Sequence, residues 1–182
     1  MKRQKGLLLI GGAKRNVGKT TFVCKIIKHF SKSNSIVGLK LKTVIEGDNY
    51  FHGKSNNSVF ADYLLVEELD GNSSEDTGKM LKAGAKRAFL LRARSEFLTV
   101  AFSAFLSEIQ EDNLIVCESN SLRNSFQPDL YLFIKDKYSS EMKPSAVQLE
   151  EIADKLIFTN GKEHDFDIQQ LQIENSVWKL SC

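Results

Sequence analysis

Leu7-Leu8-Leu9-Ile10 is an unbroken apolar run of strand length, the pattern of a strand buried on both faces of a parallel sheet. After a polar, glycine-containing stretch, Phe22, Val23, Ile26, Ile27 and Phe30 recur at helical spacing while Lys25, Lys28 and Lys32 face away. This predicts a helix from Thr20 that ends in Ser31 to Ser35. Ile36 to Val44 predicts a second strand, Gly47 to Ser58 a loop, and Tyr63 to Leu69 a further strand or the arm of an edge hairpin. Glu75-Asp76-Thr77 opens a short helix running through Leu81 to Ala85, and Ala88 to Leu91 reads as a strand. Phe97, Leu98, Ala101, Phe102, Phe105, Leu106 and Ile109 give the cleanest amphipathic helix, with Asn113 at its exit. Leu114 to Cys117 and Leu130 to Ile134 are predicted strands, Ser145 to Ala153 a helix, and Lys155 to Thr159 the last well-defined strand.

Strand and helix alternate, so the expected fold is α/β: three layers, with a mostly parallel central sheet and helices on both faces. No repeat, linker or low-complexity segment divides the chain, and one domain over residues 1–182 is expected. The 25 Lys+Arg against 23 Asp+Glu, with 42% hydrophobic residues, argue against a disordered chain and against a strongly cationic nucleic-acid binder. Cys24, Cys117 and Cys182 form no C-x-x-C pair, which removes a zinc ribbon or a thioredoxin-type motif and leaves reduced intracellular thiols as the expectation. The basic start, Met1 to Lys5, is followed by too short an apolar run for a signal peptide, and no membrane-length apolar run occurs. A cytoplasmic protein with neither membrane nor nucleic acid as partner is expected.

The chemistry lies between the first strand and the first helix. Ala13-x-x-x-x-Gly18-Lys19-Thr20 matches the Walker A pattern with Ala in place of the first Gly. Loop amides and the helix N-terminus would cradle phosphate oxygens, Gly18 would allow close backbone approach, and Lys19 would supply charge to the β and γ phosphates. The Thr20 hydroxyl would complete Mg²⁺ coordination, and Thr21 would sit near the α phosphate. Phosphate binding through Mg²⁺ also needs an acid at a strand end, and Leu114-Ile115-Val116-Cys117-Glu118 provides Glu118. Glu46, Asp48 and Asp76 lie in loops expected at the same edge, where Asp48 or Asp76 would orient water. Asn160, in Phe158-Thr159-Asn160-Gly161-Lys162, either reads a purine edge or forms an ordinary Asn-Gly turn.

The loop from Gly12 to Thr21, Lys42-Thr43 followed by an acidic, His52-containing loop, Glu75-Asp76-Thr77 with Ala83-Gly84-Ala85, and Glu118 after a strand together resemble the MobB family. These are nucleotide-binding adaptors of molybdopterin-guanine dinucleotide biosynthesis, in the SIMIBI class of P-loop NTPases. The resemblance covers most of residues 6 to 160. It implies a P-loop NTPase fold, GTP or ATP with Mg²⁺ (GTP favoured), slow hydrolysis, a homodimer, and a protein partner in cofactor biosynthesis. In the class, the lysine at the position of Lys14 can reach nucleotide across the dimer interface; a solvated loop lysine is the plain alternative. The chain departs from the family in having Val44-Ile45-Glu46 instead of a His-rich tract, Ser119-Asn120 after Glu118, and what looks like an insertion at 47–74.

Two other readings stay open. One is an ATP-dependent kinase or ligase whose small acceptor is held by residues 44–74 and 119–127. The other is a non-catalytic, nucleotide-gated binder that docks its partner on 47–74. His52 is read as a solvated loop residue. The cluster Lys82, Lys86, Arg87, Arg92 and Arg94 is read as surface, with attraction of a phosphorylated or pterin-like partner as its functional alternative. Phe89, Phe97, Phe102 and Phe105 are read as core.

Overall fold

A computed structural model describes residues 1–44 and 62–181. Its strands are β1 (Lys2–Arg3), β2 (Leu7–Gly12), β3 (Ile36–Val44), β4 (Tyr63–Glu68), β5 (Arg87–Arg94), β6 (Leu114–Glu118), β7 (Phe126–Gln127), β8 (Leu130–Asp136), β9 (Lys155–Thr159), β10 (Leu171–Glu174) and β11 (Val177–Leu180). Its α-helices are α1 (Lys19–Phe30), α2 (Asp76–Lys82), α3 (Leu98–Ser107) and α4 (Pro144–Glu151). Seven strands form one sheet in the order β4-β5-β3-β6-β2-β8-β9, parallel except for the antiparallel edge strand β4.

Residues of β2 alternate between two cores because successive side chains point to opposite faces of a strand. Leu7 and Leu9 join Phe102 and Phe105 of α3 and Ala146 and Leu149 of α4, while Leu8 and Ile10 join Phe22, Val23, Ile26 and Ile27 of α1 and Met80 of α2. Helices therefore cover both faces. Every β2 residue is buried, which explains a run with no polar alternation. The pairing of β2 with both β6 and β8 puts the carboxyl end of β2 in mid-sheet, beside the end of β6.

The expected strands and helices appear close to their predicted limits, with β5 longer at both ends. The chain adds an antiparallel hairpin beyond β9, so Lys155–Thr159 is not the last strand. In the hairpin, Leu171 and Trp178 complete the α1-side core. The short parallel pair β1–β7 is also additional. Glu46, Asp48, His52 and most of the 47–74 segment lie outside the described residues, and among the described residues no helix is long and apolar enough to cross a membrane.

Candidate functional site

Residues 12–21 turn the chain from β2 into α1. Asn16 (φ 58°) and Gly18 (φ 90°) adopt left-handed backbone, which Asn tolerates better than other side chains and Gly adopts freely. The loop folds back over Gly12, where a Cβ would meet Val17 Cγ1 at 2.8 Å and Lys19 Cδ at 3.0 Å. Its base is tied down from two sides. Asn120, just past β6, accepts the Gly12 N–H on Oδ1 (2.8 Å) and donates from Nδ2 to the Gly12 carbonyl (2.9 Å). Ala13 donates its N–H to Ile134 O (2.9 Å) and accepts from Lys143 N (3.0 Å).

Helix α1 begins at Lys19 with no side-chain cap and no acid in its first turn. Its first N–H groups and the positive end of its dipole are thus left to whatever occupies the adjoining space, an arrangement suited to an anion. Lys19 donates from Nζ to Lys14 O (2.9 Å). Burial holds its ammonium below the ordinary lysine pKa, and the nearby Lys40 and Lys143 push in the same direction.

Glu118 and Lys40 face each other in register on β6 and β3, and Ile10 of β2 is the partner of Glu118 on the other side. Thr20 Oγ1 donates to Glu118 Oε2 (2.6 Å), and Lys40 Nζ pairs with Glu118 Oε1 and with Asp76 Oδ2 (2.9 Å). Lys79 holds the other Asp76 oxygen at 3.3 Å. Burial works against charge on Lys40, yet Glu118 and Asp76 outweigh it and raise its pKa. Burial likewise works against charge on Asp76, but Lys40 and Lys79 outweigh it and lower its pKa.

These residues line a cleft of about 770 Å³ that runs over the carboxyl ends of β2, β6, β3 and β5. Among the described residues, eight cationic side chains reach it (Lys14, Arg15, Lys19, Lys40, Lys42, Lys79, Arg92 and Lys143) against two acids, Asp76 and Glu118. In a chain of net charge +2, this segregation focuses positive potential into one concave site of small-molecule size, an arrangement suited to an anion.

No family model, curated protein or solved structure matches the chain. The site must be read from its own geometry.

Of the residues picked out in the sequence, Lys14, Arg15, Asn16, Gly18, Lys19, Thr20, Thr21, Asp76 and Glu118 line the cleft. Ala13 and Val17 do not: both are buried, and Val17 packs into the α1-side core. Lys14 pairs with Asp136 and Glu141 of its own chain, each at 3.3 Å. Asn160 is also outside the cleft lining, on the loop that carries His164. His164 stacks on Phe22 (ring centroids 4.8 Å), and its Nε2 lies 3.1 Å from where a Gly18 Cβ would be. Asn160 Oδ1 accepts from the N–H groups of Lys162 (2.9 Å) and Glu163 (2.8 Å), the bonding of an Asx-type turn. Of the basic cluster read as surface, Arg92 enters the cleft, while Arg87 is held by Glu67 at 2.6 Å.

Sequence reasoning missed Lys40 and Lys143, and it read Asn120 as lining an acceptor site or a turn, whereas Asn120 clamps Gly12. The one available signal was Lys40, a charge placed between Leu39 and Leu41 in a strand that had to be central.

The donor set fits Mg²⁺. Two hard oxygens, the Thr20 hydroxyl and the Glu118 carboxylate, converge at the head of the loop. No group of three or more His, Cys, Asp or Glu side chains among the described residues forms an all-protein metal cage. Mg²⁺ takes only one or two protein oxygens where phosphate and water supply the remainder.

Proposed function

We propose that this chain is a P-loop nucleotide-binding protein of the MobB-like kind, taking a purine nucleoside triphosphate with Mg²⁺ and hydrolysing it slowly. One observation carries the reading: an uncapped helix start with Lys19 and Thr20, directly beside a buried strand-end Glu118, in a cleft lined mostly by cationic side chains among its charged residues. In this reading the amides of 14–20 and the Lys19 ammonium hold the β and γ phosphates, and Thr20 and Glu118 hold the metal, which neutralises phosphate charge when bound. Lys40 and Lys79 fix Asp76 at the cleft wall, where its carboxylate orients water. Lys14 and Arg15 add charge along the phosphate chain. A role for Lys14 across a homodimer requires release from both Asp136 and Glu141.

The preference for GTP rests on the family resemblance alone, because Asn160 lies outside the cleft lining and its Oδ1 is used by its own turn. The adaptor role, with a protein partner in molybdenum-cofactor biosynthesis, rests on the resemblance at Lys14–Thr20, Lys42-Thr43 and Asp76-Thr77.

Calorimetric titration of GTP, ATP and their diphosphates, with and without Mg²⁺, into wild type and Lys19→Ala tests the reading. Mg²⁺-dependent GTP binding that the variant loses is the expected result; no nucleotide binding by wild type refutes it. The extension of the cleft to β3 and β5 favours a second reading, an ATP-dependent transferase, whose mark is ADP release that depends on an added acceptor.

A further inference from the structure

Glu118 ends β6 in the middle of the sheet, and each of its carboxylate oxygens holds a partner. Thr20 Oγ1 donates to Oε2, while Lys40 Nζ pairs with Oε1. The Lys40 ammonium is itself shared, because Asp76 Oδ2 lies 2.9 Å away from it. One positive charge therefore bridges two carboxylates from different elements, β6 and α2, beside the first turn of α1. The acid assigned above to the metal already has a cation of its own.

The two arms of this bridge are held differently. Glu118 is buried, whereas Asp76 is partly open to the cleft and has Lys79 as a second partner. The backbone of Lys40 is fixed, because β3 is paired on both sides by β5 and β6, but a lysine head rides on a flexible four-carbon stem. Moving the ammonium off Glu118 does not strand it, since the contact with Asp76 is already made. A bare divalent cation faces two obstacles at Glu118. It must displace an ammonium from a buried carboxylate, and it must enter a cleft where, among the described residues, eight cationic side chains face two acids. A cation carried on a nucleoside triphosphate meets the opposite field, because the complex is a net anion, and phosphate and water complete its coordination shell.

We propose that Lys40 is a displaceable counter-ion that closes Glu118 to free divalent cations and yields it only to a metal delivered on a polyphosphate, its ammonium then resting on Asp76. The proposal rests on the nucleotide reading for the identity of the carrier and on the Lys40 bridge for the closure itself.

The test counts bound Mn²⁺ by electron paramagnetic resonance, since Mn²⁺ takes the same hard oxygen donors as Mg²⁺. Millimolar MnCl2 is titrated into nucleotide-free wild type, Lys40→Met, Lys40→Gln and Lys40→Arg, and into each of the first two variants combined with Glu118→Gln. Wild type and Lys40→Arg should show no Glu118-dependent site. Lys40→Met and Lys40→Gln should bind one Mn²⁺ per chain about ten- to a hundredfold more tightly than wild type, the equivalent of one hydrogen bond to a charged group, and should lose it with Glu118→Gln. Lys40→Gln keeps a polar head, which guards against a Lys40→Met chain too unstable to read. Wild type binding Mn²⁺ as tightly as the variants, or neither variant gaining a Glu118-dependent site, overturns the closure. A parallel titration with a non-hydrolysable GTP analogue separates the two readings. If the analogue brings Mn²⁺ into wild type while neither variant gains a site without it, the closure falls and the nucleotide reading stands; if no analogue binds yet the variants gain the site, the nucleotide reading falls and the closure stands.

Discussion

Replacing Lys40 by Met keeps the apolar stem and removes only the ammonium. In the wild type that side chain is 11% exposed, wedged between Glu118 (3% exposed) and Asp76. Methionine leaves the Glu118 carboxylate buried with the Thr20 hydroxyl as its remaining hydrogen-bond partner. Removing one member of a buried ion pair costs about 3–5 kcal/mol, mostly because the other charge is stranded. The lower end applies here. Asp76 is 30% exposed and keeps Lys79, and the cleft is open to water, so a loss of about 3 kcal/mol is expected. For a domain of this size, each kcal/mol moves the melting temperature by about 2–4 °C, which gives a fall of roughly 6–12 °C. Denaturant unfolding followed by circular dichroism at neutral pH measures it, on wild type, Lys40→Met, Glu118→Gln and the double variant. Because Glu118→Gln removes the stranded charge, the double variant should be more stable than Lys40→Met, with a coupling energy of about 2 kcal/mol. Added Mg²⁺ should raise the melting temperature of Lys40→Met more than that of wild type, since the cation no longer competes with the ammonium for Glu118. A Lys40→Met loss below about 1 kcal/mol with coupling near zero would refute the claim that Lys40 and Glu118 neutralise each other.

Gly11→Ala places a Cβ 2.3 Å from Tyr131 Oη, so a loss of about 1–3 kcal/mol is expected, partly relieved by Tyr131→Phe and read by thermal unfolding. Asn120→Ala strips both partners from the buried Gly12 amide group, which should cost about 1–3 kcal/mol and weaken nucleotide binding in calorimetry, although Asn120 itself holds no phosphate in this reading. Gly18→Ala puts a side chain at φ 90° and against His164; nucleotide affinity should fall, and the melting temperature should drop with it. Asp76 has a pKa held below its ordinary 3.8, so its contribution is present above that value and disappears as pH falls through the folded-state pKa. The raised pKa of Lys40 has the opposite sign, keeping its contribution intact up to the ordinary lysine value and losing it only as pH rises through the folded-state pKa. Melting temperatures of wild type and Asp76→Asn should therefore differ at neutral pH and converge in acid; a constant gap across pH would count against the ion pairs as the source.

Much of the fold was legible because the central strands carry their position in their composition. Leu7 to Ile10 and Leu114 to Cys117 are apolar at every residue, which only a strand covered on both faces requires. The β10–β11 hairpin escaped for an equally local reason. Its two-residue turn is Asn175-Ser176, both at positive φ (52° and 59°), the backbone of a type I′ turn without the glycine that usually announces one. Its strands are four residues each and mostly exposed on one face, too short for periodicity to separate from loop.

The candidate site divides in the same way. Gly18, Lys19 and Thr20 were readable because the proposed phosphate loop is contiguous in sequence, so spacing carries the geometry. Lys40 and Lys42 alternate with Leu39 and Leu41, and that period of two reads equally well as a strand with one solvated face. Only the placement of β3 between β6 and β5 turns the same alternation into a buried charge against Glu118 and a second cation in register with Arg92. The near-zero net charge concealed this as well, since among the described residues eight Lys and Arg side chains line a cleft that receives two acids. A surface that merely needed solubility would intersperse its signs; holding this many cations around one cavity lowers stability by self-repulsion unless an anion occupies it. Ion pairs of Lys40 with Glu118 and Asp76, of Lys79 with Asp76 and of Lys14 with Asp136 and Glu141 already reduce that cost in the empty protein, and the proposed phosphate ligand would relieve what remains.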